Sequence, residues 1–313
     1  MTKKIKILIV SPEISPYAKT GGLGDVSNAL PKALLKLDQD VCLAMPFYSF
    51  IKKQDLKIKE LAKDEIKIGK NNYPVTFFKT NFMSEAPLYL IYNRELFERK
   101  NMYGEEDDNL RFAFFNLAVL KLIEKLKLNP DIIHCHDWQS GLIPNFIKTD
   151  NKNNKKISGI ATLYTIHNLP FQFQKDWWKI PPKKVDKGRG QPNLKDKRKI
   201  KYINFARRAI RYADIINTVS QRYAKEILTH EFAQGLDKVL KERKKNIYGI
   251  INGIDYTVFN PAFDKNINYN YDWNSLDKKK KNKVVLQKEL GLEVKPETPI
   301  IGLVHRLTEQ KGF

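Results

Sequence analysis

The sequence predicts an α/β protein built on a parallel sheet, and three observations carry that reading. Residues 5–10 form a continuous apolar run, the pattern of a strand buried on both faces. A Gly/Pro-rich loop, residues 11–24, follows at once and leads into a helical pattern. Residues 41–45 then return to a short apolar run, and strand, glycine loop, helix, strand is how a parallel α/β sheet begins.

The remaining elements follow in order. Val26, Leu30, Ala33, Leu34 and Leu37 fall at helical spacing and predict an amphipathic first helix. Residues 56–92 alternate and contain Gly69, Asn71, Asn72 and Pro74, which predicts short strands or hairpins on the sheet's edge. Residues 110–128 predict a long amphipathic helix. Residues 131–135 and 160–166 predict buried strands, ending in His134-Cys135-His136-Asp137-Trp138 and His167-Asn168. Residues 174–201 are basic, contain proline and lack periodicity, so they read as a long loop with partial helix. Helix, strand and helix follow over 203–212, 214–219 and 221–228, and a further strand over 247–251. Residues 260–273 are rich in Asn, Tyr and Asp and predict an irregular crossover. A helix over 278–290 and a buried strand over 299–304, its edge unpaired, complete the reading.

Composition narrows the function classes. The 313 residues leave room for about two domains. A hydrophobic fraction of 42% excludes global disorder. Lys and Arg number 56 against 35 Asp and Glu, a net charge of +21. That charge fits a nucleic-acid partner, and equally an anionic substrate. The excess of Lys over Arg weakens base readout, and no recognised DNA or RNA module is present, so a nucleic-acid partner is not expected. Cys42 and Cys135 have no metal-ligand spacing, which argues against a disulfide framework or a structural zinc. The N-terminal apolar run is too short for a signal-peptide core, and no stretch approaches 18 apolar residues. The expectation is a soluble, cytoplasmic protein with no membrane partner.

Ligands of open α/β sheets bind beyond the carboxyl ends of the strands, so polar clusters at strand ends are the candidate site. Four stand out: residues 19–25, 134–138, 167–168 and 306–312. In the first, Gly21 and Gly22 let backbone N–H groups face a phosphate at a helix N-terminus, with Lys19 adding charge; the alternative is a tight turn with a solvated lysine. Asp137 suits the hydroxyls of a sugar with Trp138 as a wall, or it caps the helix that begins at Trp138. His134 reads as a core or supporting histidine. His167 has no acidic neighbour at metal-ligand spacing. Arg306 and Lys311 suit a pyrophosphate leaving group or are simply solvated. The 278–281 lysine run reads as a solvated helix start.

Taken in order, these clusters resemble the bacterial glycogen synthase and plant starch synthase family. The resemblance rests on Ser11-Pro12-Glu13 with residues 19–25, Tyr103-Gly104 with Asp108-Asn109-Leu110-Arg111-Phe112, and residues 134–138. It continues through Thr165-Ile166-His167-Asn168, Ala213-Asp214, Thr218-Val219-Ser220, residues 249–255 and residues 306–312. It implies a GT-B glycosyltransferase, two Rossmann-like domains facing across a cleft. The family moves glucose from ADP-glucose to the nonreducing end of an α-1,4-glucan such as glycogen, with retention and with no metal or other cofactor. By that resemblance Lys19, Gly21, Gly22 and Asn252 bind substrate. Asp137 and His167 line the sugar pocket, and Arg306 and Lys311 stabilise the departing diphosphate.

Some positions depart from the family pattern. Gln139 stands where His is usual, Phe171-Gln172-Phe173 replaces Tyr-Gln-Gly, and His305 replaces Ser. Family members carry roughly a further domain of residues, about 150 by domain-size priors. The expectation is therefore a complete N-terminal catalytic domain over 1–255 and a linker with the incomplete start of a nucleotide-sugar-binding domain over 256–313. Such a truncated chain is expected to have low or no activity alone. The alternatives are a non-catalytic glucan-binding fragment and a related GT-B transferase with another nucleotide sugar.

Overall fold

In the computed structural model, residues 4–54, 56–82, 86–305 and 307 are described. Among them nine strands form one sheet: β1 (Lys6–Val10), β2 (Asp40–Pro46), β3 (Lys59–Ile68), β4 (Asn71–Phe82), β5 (Ala86–Tyr92), β6 (Ile132–His136), β7 (Ala161–Ile166), β8 (Ile215–Thr218) and β9 (Ile247–Gly249). Their order is β3-β4-β5-β2-β1-β6-β7-β8-β9. Every pairing from β5 to β9 is parallel; β3–β4 and β4–β5 are antiparallel. The chain runs from β1 to β2 on one side and later returns to β6 on the other, so the order reverses at β1. The carboxyl ends of β1 and β6 therefore flank the switch point, the place where doubly wound sheets bind ligands.

Sequence pattern explains the two kinds of strand. In β1, β2 and β6 nearly every residue is buried, because the helical segments of parallel crossovers cover both faces. In β3 and β4 burial alternates, as in an antiparallel ribbon with one solvated face. The edge residues Lys59, Lys63, Glu65 and Lys67 of β3 discourage pairing with another chain. These strands run to 10 and 12 residues, longer than the short hairpins expected from sequence.

The helices carry the other differences. Helix α1 (Gly22–Lys36) buries Leu23, Gly24, Ser27, Asn28 and Pro31. Its core face is thus rotated from the expected apolar stripe, and Leu37 lies exposed past the last turn. Helix α2 (Asp108–Leu126) is not amphipathic: Asp108, Asn109, Arg111 and Asn116 are buried beside its apolar residues. Most of their polar atoms are bonded internally, while Arg111 Nη2 is buried with no partner among the described residues. Arg111 pairs with Asp108 at 2.6 Å and donates from Nε to the Leu96 carbonyl at 2.7 Å. Helices α3 (Ile143–Lys148) and α4 (Phe205–Tyr212) pack on each other, and α5 (Gln221–Glu226) packs on β8 and β9. Helix α6 (Asp237–Glu242) precedes β9. Residues 174–201 contain only short 3-10 turns and one helical turn, Lys197–Ile200.

The chain divides into two compact units, Met1–Gly253 and Ile254–Phe313. The second contains helix α7 (Asp277–Glu289), of which only Gln287 is buried, so the 278–281 lysines are solvated. Residues 299–304 are not a strand, and Val304 is 98% exposed. An apolar run becomes a strand only with a ladder partner, and the described residues of this unit offer none. Residues 260–273 are irregular, as their composition predicts.

Candidate functional site

Beyond β1 the chain enters a folded loop. Ser11 donates to the Glu13 carbonyl at 2.6 Å, Tyr48 donates to the Pro12 carbonyl at 3.1 Å, and the Ser15 N–H reaches Gly24 at 3.1 Å. The Glu13 carboxylate, 3% exposed, accepts from the Thr20 N–H and hydroxyl, both at 2.6 Å, and from the Gly21 N–H at 3.3 Å. It also accepts from the Tyr103 hydroxyl at 2.9 Å. Gly21 is extended and stands just ahead of α1 as its N-cap, and among the described residues no side chain caps that helix. A Cβ on Gly21 or Gly22 would meet nothing within 4 Å. Neither the backbone at Gly21 nor local packing thus requires glycine, and the space in front of the helix stays open. Lys19 stands beside it, paired with Asp25 at 2.6 Å, both about half exposed.

The tips of β6 and β7 are built differently. Asp137 has φ 56° and ψ 177°, a region almost reserved for glycine, so its backbone is strained and held by its surroundings. The Asp137 N–H donates to the Thr165 carbonyl at 3.0 Å. Its Oδ1 accepts from the His167 N–H at 2.9 Å and from Gln172 Nε2 at 2.6 Å. The Tyr164 hydroxyl donates to Gln172 Oε1 at 2.8 Å and so fixes the amide with its N–H toward Asp137. Asp137 does not cap the 3-10 turn Trp138–Ser140; its Oδ1 is turned instead to His167 and Gln172. Burial raises its pKa to about 7, against those two hydrogen bonds, and the nearby Glu13 charge adds to the rise. Trp138 is no pocket wall: it is buried edge-on between Phe112 at 5.2 Å and Phe205 at 5.7 Å.

Three histidines stand side by side beneath this tip. His134 and His136 have ring centroids 4.1 Å apart, and His136 and His167 5.2 Å apart. Thr165 gives its hydroxyl proton to Asn217 Oδ1, so its oxygen accepts from His134 Nε2–H at 2.6 Å. His134 is therefore the supporting histidine read from sequence, in one tautomer. His136 Nδ1 and His167 Nε2 are hydrogen-bonded at 2.9 Å, and among the described residues His136 Nε2 is buried without a partner. Burial lowers the pKa of His134 to about 3 and of His167 to about 4, and holds His136 well below its usual value. The stack is neutral near pH 7.

Lys19, Gly21, Gly22, Asp137 and His167 therefore sit on the loops and tips that flank the switch point. Asn252 does not: it is exposed beyond β9, three strands from β6. Arg306 and Lys311 lie outside the described residues. Glu13, Tyr103, Gln172, Tyr164 and Asn217 join the network without having been singled out as site residues. Their signal is long-range: partners 90, 35 and 52 residues apart leave no local pattern. Gln139 is buried, and Phe171 and Trp178 are exposed on the segment after Asn168. Among the described residues no group of three or more His, Cys, Asp or Glu is arranged to hold a metal ion. Both cysteines are buried and free. No helix among those residues is long and apolar enough to cross a membrane.

Comparison with known proteins gives a consistent result. The starch synthase catalytic domain family model matches residues 6–242. A glycogen synthase of Geotalea daltonii is 43% identical over 320 residues, covering 99% of this chain and 64% of that protein. One from Moorella thermoacetica is 41% identical over 325 residues, covering 100% of this chain and 63% of that protein. The chain thus spans just under two thirds of these relatives' length. The catalytic domain of Arabidopsis thaliana starch synthase IV, solved with ADP and acarbose, is similar with a TM-score of 0.79 and 29% identity. That match covers 93% of this chain and 60% of the other. The sheet and this likeness bear out the α/β, GT-B-type fold that the motif order implies. With the family model matching from β1 to the last residue of α6, the chain belongs to the starch synthase catalytic-domain family.

Proposed function

We propose that the protein carrying this chain is a retaining hexosyltransferase of glycogen or starch synthesis. It transfers glucose from ADP-glucose to the nonreducing end of an α-1,4-glucan. The observation that carries this reading is the juxtaposition at the switch point. An uncapped helix N-terminus with open glycine faces lies on the loop beyond β1, and a buried, strained carboxylate with a pKa near 7 lies beyond β6. The ADP and acarbose bound to the Arabidopsis relative support a nucleotide sugar and a glucan as substrates here.

In this reading the α1 N-terminus and Lys19 hold the donor's phosphates, with Gly21 and Gly22 giving close backbone approach. Asp137 and His167 line the glucose pocket. The Asp137 carboxylate accepts sugar hydroxyl bonds and steadies positive charge that develops on the anomeric carbon. Arg306 and Lys311 meet the negative charge of the diphosphate as it leaves, and Asn252 binds substrate. The incoming glucan hydroxyl attacks on the face from which the diphosphate departs, so no protein nucleophile is required. Fixed cations and backbone N–H groups supply the stabilisation, so neither a metal nor another cofactor is needed. Residues 1–255 act as the glucan-facing catalytic domain, and residues 256–313 begin the nucleotide-sugar-binding domain. The reaction belongs in the cytoplasm, without nucleic-acid or membrane partners.

Incubation with labelled ADP-glucose and glycogen tests the reading. Label is expected to enter glycogen with protein that spans the full length of the relatives, and little or none with the 313 residues alone. An inert full-length protein overturns the proposal, and a preference for UDP-glucose redirects it to another donor. One observation favours a second reading, glucan binding without transfer: Phe173 and Trp177 stack at 5.5 Å beside exposed Phe171 and Trp178. Aromatic faces of this kind stack on sugars. Co-sedimentation of the chain with glycogen, lost in Trp178→Ala, would favour it.

A further inference from the structure

Glu13 is a carboxylate with an unusual set of partners. It lies three residues past β1 and is almost wholly buried, and among the described residues no cation pairs with it. A buried charge is tolerated only where its lone pairs are filled. Here four donors fill them, and they are sorted by kind. Oε2 accepts the two backbone N–H groups, of Thr20 and Gly21. Oε1 accepts the two hydroxyls, of Thr20 and Tyr103. Three of the four come from the dipeptide that sets the direction of the first turn of α1. The fourth ties that dipeptide to the segment ahead of α2.

We propose that Glu13 is a positioning residue for the donor-phosphate site, acting through hydrogen-bond geometry rather than charge. The proposal rests on the reading that a nucleotide sugar binds at the α1 N-terminus. Glu13 itself faces the loop and not the open space before Gly21 and Gly22. Its effect on a ligand therefore passes through Thr20 and Gly21, which orient the N–H groups that follow. The sorting of donors makes geometry and charge separable. Glutamine can reproduce all four bonds. Its oxygen takes the place of Oε2 and accepts both N–H groups. Its amide nitrogen takes the place of Oε1 and donates to the two hydroxyl oxygens, which can accept as well as donate. Alanine strands every donor.

The test measures kcat and the KM for ADP-glucose and for glycogen in the full-length protein, for wild type, Glu13→Ala, Glu13→Gln and Tyr103→Phe. Glu13→Ala is expected to raise the donor KM by about 10- to 100-fold, the cost of leaving buried donors unpaired. Its glycogen KM should stay within about threefold, a split that general unfolding would not produce. Glu13→Gln is expected to rescue the donor KM to within about threefold of wild type. Tyr103→Phe, which removes one of four bonds, should raise it about threefold. Amide hydrogen exchange at Thr20 and Gly21 should quicken at least about tenfold in Glu13→Ala and recover in Glu13→Gln.

A Glu13→Gln variant as impaired as Glu13→Ala overturns the proposal, because the charge then carries the effect. So does a Glu13→Ala variant with wild-type donor KM and exchange. If Glu13→Ala does not fold, the glutamine variant and Tyr103→Phe decide between the same outcomes. If wild type does not use ADP-glucose, the functional reading fails, and the exchange experiment still shows whether Glu13 fixes the loop.

Discussion

The loop beyond β1 and the tips of β6 and β7 flank the same switch point, and they are prepared in opposite ways. The β1 loop is open: Gly21 and Gly22 face empty space, Lys19 is half exposed, and the loop is fixed from behind by Glu13. The β6–β7 side is closed: Asp137 is buried and strained, and three neutral histidines stack beneath it. One side is shaped so that a ligand can approach backbone. The other holds groups whose ionisation has been displaced before any ligand arrives. The difference teaches that shape and charge are separate tasks here, assigned to different strands.

The largest effect should come from Asp137→Asn. Asparagine keeps Oδ1 as acceptor for His167 N–H and Gln172, so the tip survives while the charge is lost. In the full-length protein, the proposed transfer of glucose from ADP-glucose to glycogen should fall by about 10²- to 10⁴-fold in kcat. A wild-type rate would break the contrast, since the closed side would then be only structural.

Stability against pH comes next. His134 and His167 have folded pKa values near 3 and 4, below the ordinary 6.5, so their contribution is fully present above pH 6.5. It is lost as the pH falls through those folded values. Asp137, raised from 3.8 to about 7, runs the other way: its contribution is present below 3.8 and lost as the pH rises through 7. Two large histidine shifts, with His136 in the same direction, outweigh one aspartate. The melting temperature should therefore drop by roughly 5–15 °C between pH 6.5 and pH 4. Asp137→Asn should steepen that drop and melt a few degrees, about 2–6 °C, above wild type at pH 8. Thermal denaturation in a pH series measures both, and a flat profile would remove the closed side's defining property.

A smaller effect is expected on the open side. Gly22→Val fills space that nothing in the protein occupies, so melting should be unchanged while the donor KM rises about tenfold. A destabilised but fully active variant would show that the open face serves packing. Lys19→Ala should do least. Its pair with Asp25 is half exposed and worth under about 1 kcal/mol to stability, and the donor KM should rise about threefold. That rise should shrink at high salt, as expected of an exposed charge.

Much of this division was legible in the sequence, and the physics says why. Parallel strands are buried on both faces, so β1, β2, β6 and β7 stood out as apolar runs. Polar residues at their ends then marked Lys19, Asp137 and His167. What was hidden depends on partners remote in sequence. Glu13 reads as one acid in a loop until Tyr103 arrives, and Gln172 as the unchanged middle of an altered motif until it meets Tyr164 and Asp137. Trp138 shows the reverse failure, because a large ring at a strand tip suits a wall or a core equally, and Phe112 and Phe205 decide for the core. Residues 299–304 fail for want of a ladder, which hydrophobicity cannot supply.

The last strand of the sheet carries a constraint of its own. A Cβ at Gly249 would lie 2.3 Å from Gln221 Cα and 2.4 Å from the Ser220 carbonyl oxygen, both backbone atoms that cannot step aside. Gly249 is paired with Thr218 in the β8–β9 ladder. Sliding β9 by one residue would bring Tyr248 or Ile250 to that spot, and neither fits. With only three residues in the strand, ladder bonds alone would specify its alignment weakly. The missing side chain works as a keyway: it admits one alignment, and so sets the point at which the polypeptide leaves the sheet toward Asn252.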